Sequence, residues 1–248
     1  MVKNRSIGLI NSSNAYAVRV LLAQMLEIGL RTGMISGIIQ SRQNGKDERM
    51  HSFQGIKVGG CIMLKDADMR IILLNELKKV NEQHDYRIIE EMAVCDGEAR
   101  VDVAVANGRL CGYEIKSDAD TLDRLAIQKK CYDKTFDKVS IVVGEKFKDK
   151  IEEHVPEYWG IYVVSESSRG CKIRRMRPAR LNRNIEVDSL LELLWRDEIV
   201  ILLKRAGIKG LSGKNRRILR KIASENIPEK EIKNYTRETL KHRENWRV

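Results

Sequence analysis

"RVDVAVANGRLCGYEIKSDAD", residues 100–120, sets the frame for the rest of the chain. Val101, Val103 and Val105 alternate with Arg100, Asp102, Ala104 and Ala106, and alternation with period two is the signature of a half-buried strand. Asn107-Gly108 is a strong hairpin-turn dipeptide. Beyond it, Tyr113 and Ile115 share one face of a second strand, and Gly112, Glu114 and Lys116 share the other. Asp, Glu and Lys are depleted in strands, so Asp102, Glu114 and Lys116 need either solvent or a task. If the two strands pair through the turn, both carboxylates converge on one face with Lys116 beside them. Ala104 and Gly112 leave room there, and Arg100 stands at the edge.

The same reading extends outward. "YRIIEEMAV", 86–94, is a preceding strand, turned by "CDGEA". "DADMRIILLNELKKV", 66–80, is a helix whose stripe Met69, Leu73, Glu76 and Val80 places a carboxylate on a largely apolar face, where an unpaired charge is costly. After residue 116, Ser117 and Asp120 have the spacing of a capping box for a helix running to about 135. "KVSIVVG", 138–144, reads as a buried central strand. A short helix over 146–154 and a strand over 159–165 follow. Helix, three strands, helix, strand is an α/β order with a mixed sheet.

Two carboxylates meeting in a partly dry place repel, and a cation between them relieves the repulsion. Oxygen-only donors suit Mg²⁺ or Mn²⁺. Such an ion activates water and neutralises a phosphate in flight, with Lys116 stabilising the developing charge; phosphodiester hydrolysis needs this set. Asp102 followed by Glu114-x-Lys116 and a helix resembles the PD-(D/E)XK nuclease superfamily. Gln128 and Tyr132 in "QKKCY" resemble the Q-x-x-x-Y motif of its RecB-type members. The stretch from about residue 66 to "HRENWR" is also similar to a bacterial family of predicted nucleases.

The resemblance implies a restriction-endonuclease-like αβββαβ core and a Mg²⁺-dependent nuclease, with DNA the favoured substrate, acting in defence or repair. It further implies Asp102, Glu114 and the Ile115 carbonyl on the metal and Lys116 on the attacking water. Glu76 or Glu91 would complete the site, and Gln128 and Tyr132 would position the strand being cut. Val101 replaces the motif's proline, and no cysteine spacing supports an iron–sulfur centre. The alternative is a nucleic-acid-binding or assembly module that does not cleave.

The 248 residues carry a net charge of +11, which favours an anionic partner. "CKIRRMRPARLNRN", with Arg174, Arg175 and Arg177, holds no acid. Nor does "LKRAGIKGLSGKNRRILRK", with Lys214, Arg216 and Arg217. These residues and Arg100 are the candidate phosphate contacts. Three regions are expected: a helical segment over 1–60 of unassigned role, the core over 61–166, and a basic, mainly helical extension over 167–248. The first has a helix at about 14–28 and a loop at 40–52. It is a candidate docking or gating part through which a partner or an invading nucleic acid acts, and a protein partner or a homodimer is a candidate association of the chain. The five cysteines are scattered and fit a cytoplasmic protein. The apolar region 18–39 is interrupted by charges and is no membrane span, and the N-terminal apolar run is too short for a secretory signal.

Overall fold

The computed structural model describes the backbone of residues 57–58 and 61–62, and residues 64–167, 170–244 and 246. The expected helix at 14–28 and loop at 40–52 lie outside the described residues. Two short strands, β1 (Lys57–Val58) and β2 (Cys61–Ile62), pair antiparallel. Helix α1 (Asp66–Asn81) follows, with Asp66 and Asp68 in its first turn and Lys78 and Lys79 in its last, each sign matched to the helix dipole.

A six-stranded sheet is built from β3 (Arg87–Val94), β4 (Ala99–Ala106), β5 (Leu110–Lys116), β6 (Lys138–Val143), β7 (Gly160–Ser167) and β8 (Gly170–Arg177), side by side in chain order. The β3–β4, β4–β5 and β7–β8 pairs are antiparallel; β5–β6 and β6–β7 are parallel. The chain is therefore α/β with a mixed sheet.

Met69, Leu73 and Leu77 of α1 cover one face, against Val103, Val105, Ile115, Val142 and Val164. Helix α2 (Leu125–Thr135) covers the other, packing Leu125, Cys131 and Tyr132 with Phe136 on Ala104, Ile141 and Val143. The Asn107-Gly108 turn forms as expected, with Gly108 at φ +88, a conformation open to glycine. The Asn107 side chain donates to Asn81 Oδ1 at 2.6 Å and ties the turn to the end of α1.

Several local expectations are corrected. Ser117 and Asp120 do bond, through Ser117 N and Oγ to Asp120 Oδ2 at 2.7 and 2.6 Å. They close a turn, however, and α2 begins only at Leu125. Residues 146–154 hold two 3₁₀ turns, Glu145–Phe147 and Ile151–His154, in place of a helix. The first basic run is the edge strand β8. Its Lys and Arg side chains take solvent on both faces, which hides the alternation by which a strand is read.

Within the expected helical extension the apolar stretch around 186–206 forms two separate helices, α3 (Val187–Glu192) and α4 (Arg196–Arg205). Glu198 fixes the break. Its carboxylate accepts from Trp195 N at 2.7 Å and from Arg243 at 2.8 and 2.6 Å, and the Arg243 guanidinium lies over the rings of Trp195 and Trp246. With α5 (Arg216–Asn226) and α6 (Glu229–His242) these helices enclose a second core around Leu194, Leu202, Leu219 and Ile232.

Candidate functional site

At one end of the sheet β4 and β5 part company. Their pairing ends at Val103↔Tyr113. Beyond it the Asp102 carboxylate takes the place of a backbone carbonyl, and Oδ2 accepts from Ile115 N at 2.7 Å. On its other side β4 pairs with β3 at Glu90↔Val103 and then at Met92↔Val101, leaving Glu91 and Asp102 outside the ladder. Glu91 sits at φ +53, outside strand geometry. This matched interruption, one residue in each strand with the register unchanged, turns Val101 onto the α2 face, although Val103 and Val105 face α1. A cleft of about 470 Å³ opens at this point, lined by Asp66, Glu91, Asp102, Glu114, Lys116 and Gln128 among others.

Glu114 and Lys116 share a face of β5, as their spacing requires, and both are buried. Lys116 Nζ donates to Glu114 Oε1 at 2.7 Å, and Gln128 Nε2 donates to the same oxygen at 2.6 Å. Tyr132 donates its hydroxyl to Oε2 at 2.6 Å. Burial, with Glu114 beside it, raises the Tyr132 pKa far above its usual range, so the phenol stays a donor. Gln128 and Tyr132, one helical turn apart, thus both reach Glu114.

Asp102 is served differently. Arg70 of α1 donates to its carbonyl oxygen at 2.9 Å and to Oδ1 at 3.0 Å, and the same guanidinium pairs with Glu91 at 2.7 Å and Asp66 at 3.3 Å. Burial opposes the Arg70 charge, yet Asp102, Asp66 and Glu91 outweigh it and raise its pKa. Burial first, and the nearby Glu114 second, push the Asp102 pKa up to about 7, against the pull of Ile115 N and Arg70.

Asp102, Glu114, Ile115, Lys116, Glu91, Arg100 and Gln128 therefore meet at the cleft, with Tyr132 behind Glu114. Glu76 does not line it; of the two competing acids, Glu91 is the one in place. Arg70 was not singled out from the sequence. Its signal is the Asp66-x-x-x-Arg70 spacing, which stacks an acid and a base on one helix flank. Gly112 gives the cleft no room either: a Cβ there would meet the Phe136 ring at 2.9 Å, so its bareness accommodates the end of α2.

Mg²⁺ or Mn²⁺ needs open carboxylate oxygens. Both oxygens of Asp102 and both of Glu114 already accept from protein donors, and Arg70 and Lys116 supply the counter-charge. Among the described residues no group of three or more His, Cys, Asp or Glu side chains is arranged to hold a metal. The donor set in this arrangement does not fit the ion.

The basic candidates divide into two sets. Arg174, Arg175, Lys214 and Arg217 make no ion pair among the described residues. Arg100 pairs with Glu91 at 3.3 Å. Arg177 donates to the Trp159 and Pro156 carbonyls, holding the β7–β8 end together. Arg216 and Arg220 pair with Asp96. No helix among the described residues is long and apolar enough to cross a membrane.

A family model described as bacteriophage P4 protein cII matches residues 63–247. Protein cII of Enterobacteria phage P4 is 31% identical over 162 residues, a stretch that is 65% of this chain and 61% of that protein. The match thus spans about three fifths of the relative's length. No solved structure matches the chain. These findings overturn the resemblance read from Asp102, Glu114-x-Lys116 and Gln128-x-x-x-Tyr132. The family is not a PD-(D/E)XK nuclease family, and the expected metal-dependent, DNA-cleaving hydrolase falls with that resemblance. The motif is short and made of common surface residues, so agreement in spacing can arise without shared descent.

Proposed function

This chain belongs to the bacteriophage P4 protein cII family, and we propose that it is a nucleic-acid-binding protein that grips the phosphate backbone with its C-terminal half. One observation carries the reading. Between Lys172 and Lys221 the chain holds 15 Lys and Arg against five Asp and Glu, nearly all of its net charge of +11. Within that run Arg174 and Arg175 on β8 and Arg217 at the start of α5 are exposed and free of acids among the described residues. Phosphate neutralisation releases counterions and makes such binding steeply salt-dependent. The acidic cleft carries its own cations, so its carboxylates subtract little from the field of the basic run.

The test is fluorescence anisotropy of the full chain with labelled DNA and RNA over a salt series. Affinity is expected to fall linearly on a log–log plot, with a slope of about −0.9 for each phosphate neutralised on a duplex. The triple variant Arg174→Ala/Arg175→Ala/Arg217→Ala should flatten that slope by roughly two to three. A salt-independent affinity, or a slope that the triple variant leaves unchanged, would remove the basic run from the function.

A further inference from the structure

At the opposite end of β5 from the cleft, a second recess of about 410 Å³ lies under the Asn107–Arg109 turn. Four cations line it: Arg109, Arg183, Lys233 and Arg237. Asp137 is the only acid among its lining residues. Asp137 is buried and fully engaged. It accepts from Leu110 N at 2.7 Å and takes Arg237 in a bidentate pair at 2.9 and 2.6 Å, which fixes the plane of the Arg237 guanidinium. Lys233 has Glu229 one turn back at 3.0 Å. Arg109 and Arg183 are exposed and have no acidic partner among the described residues. One oriented guanidinium and two unneutralised ones around a single recess repel one another until an anion enters, and a planar fork suits a phosphate. Ile185 and the half-exposed Leu181 add an apolar wall. The space is of the size that takes a small organic ligand and exceeds what a bare ion needs.

We propose that this recess binds the phosphate of a nucleotide, with Arg109 and Arg183 on the phosphate oxygens, Arg237 as the oriented third donor, and the nucleoside against Leu181 and Ile185. It is a site separate from Arg174, Arg175 and Arg217, and it stands whether or not those residues hold a backbone. The ligand is either a free mononucleotide or the terminal nucleotide of a strand, and the experiment separates the two.

Isothermal titration of the full chain with adenosine 5′-monophosphate, adenosine and inorganic phosphate comes first. Anisotropy with an oligonucleotide carrying a 5′-phosphate or a 5′-hydroxyl follows. Saturable binding of the monophosphate, competed by inorganic phosphate and absent for adenosine, identifies a free nucleotide as ligand. A preference for the 5′-phosphorylated strand without monophosphate binding identifies the strand end. In either case Arg109→Ala/Arg183→Ala should weaken the phosphate-dependent binding by about tenfold or more, since two charge-assisted hydrogen bonds are lost. Both side chains are exposed and unpaired, so the variant should melt as the wild type does. The proposal is overturned if neither phosphate-bearing probe is preferred, or if the double variant binds them as well as the wild type.

Discussion

Asp102 is the residue on which the cleft turns. A carboxylate whose pKa is pushed up to about 7 by burial and by Glu114 favours the fold when protonated and opposes it when ionised. In the unfolded chain it titrates near 3.9. Its contribution is therefore fully present below about pH 4 and is lost as pH rises through about 7, a change of a few kcal/mol at most. Asp102→Asn removes that titration. Urea melts of the two proteins at about pH 5 and about pH 8 should show the wild type losing stability relative to the variant at the higher pH. Parallel behaviour at the two values would mean that Arg70 and Ile115 N hold Asp102 ionised throughout.

The sequence revealed the β5 half of this cluster because alternation holds there: Gly112, Glu114 and Lys116 do share a face. The β4 half was less legible. Glu91 at φ +53 leaves the ladder together with Asp102, which breaks the alternation of both strands without shifting their register, and no glycine marks the place. Arg70 was hidden for another reason, since its three acidic partners lie on three different elements.

Element by element, what the sequence disclosed depended on burial. β6 is buried after its first residue and apolar there apart from Ser140, and its bounds were read nearly to the residue. β8, exposed and basic, read as part of a helical extension, although Lys and Arg on an edge strand guard against pairing with another chain. The contact of β5 with α2 makes a sharper claim. Gly112 lies opposite Ala104 in the ladder, and the Phe136 ring occupies the space a side chain would need. Gly112→Ala should cost about 1–3 kcal/mol, as overpacking does in a well-packed core. Adding Phe136→Leu should return part of that loss, whereas two independent sites would simply add. Denaturation of the two single variants and the double variant measures the coupling. A neutral Gly112→Ala would show that the end of α2 moves freely over the sheet.

Across the whole molecule charge is separated. The cleft gathers acids and answers them with Arg70, Lys116 and Arg100, and the excess of Lys and Arg collects after residue 171. A divalent ion added to such a protein has no well-made site in the cleft: binding there would require Lys116 and Arg70 to leave buried or half-buried partners, and an uncompensated buried charge is costly. Millimolar Mg²⁺ or Mn²⁺ at constant ionic strength should therefore leave the melting temperature where it is. An ion held by the native state at a concentration 100-fold above its dissociation constant would add about 2.7 kcal/mol. For a chain of this size that corresponds to a rise of roughly 5–11 °C. Differential scanning calorimetry with and without the ion decides the matter. A rise of that order, abolished by Glu114→Gln, would show that the carboxylates release their protein partners to take a metal.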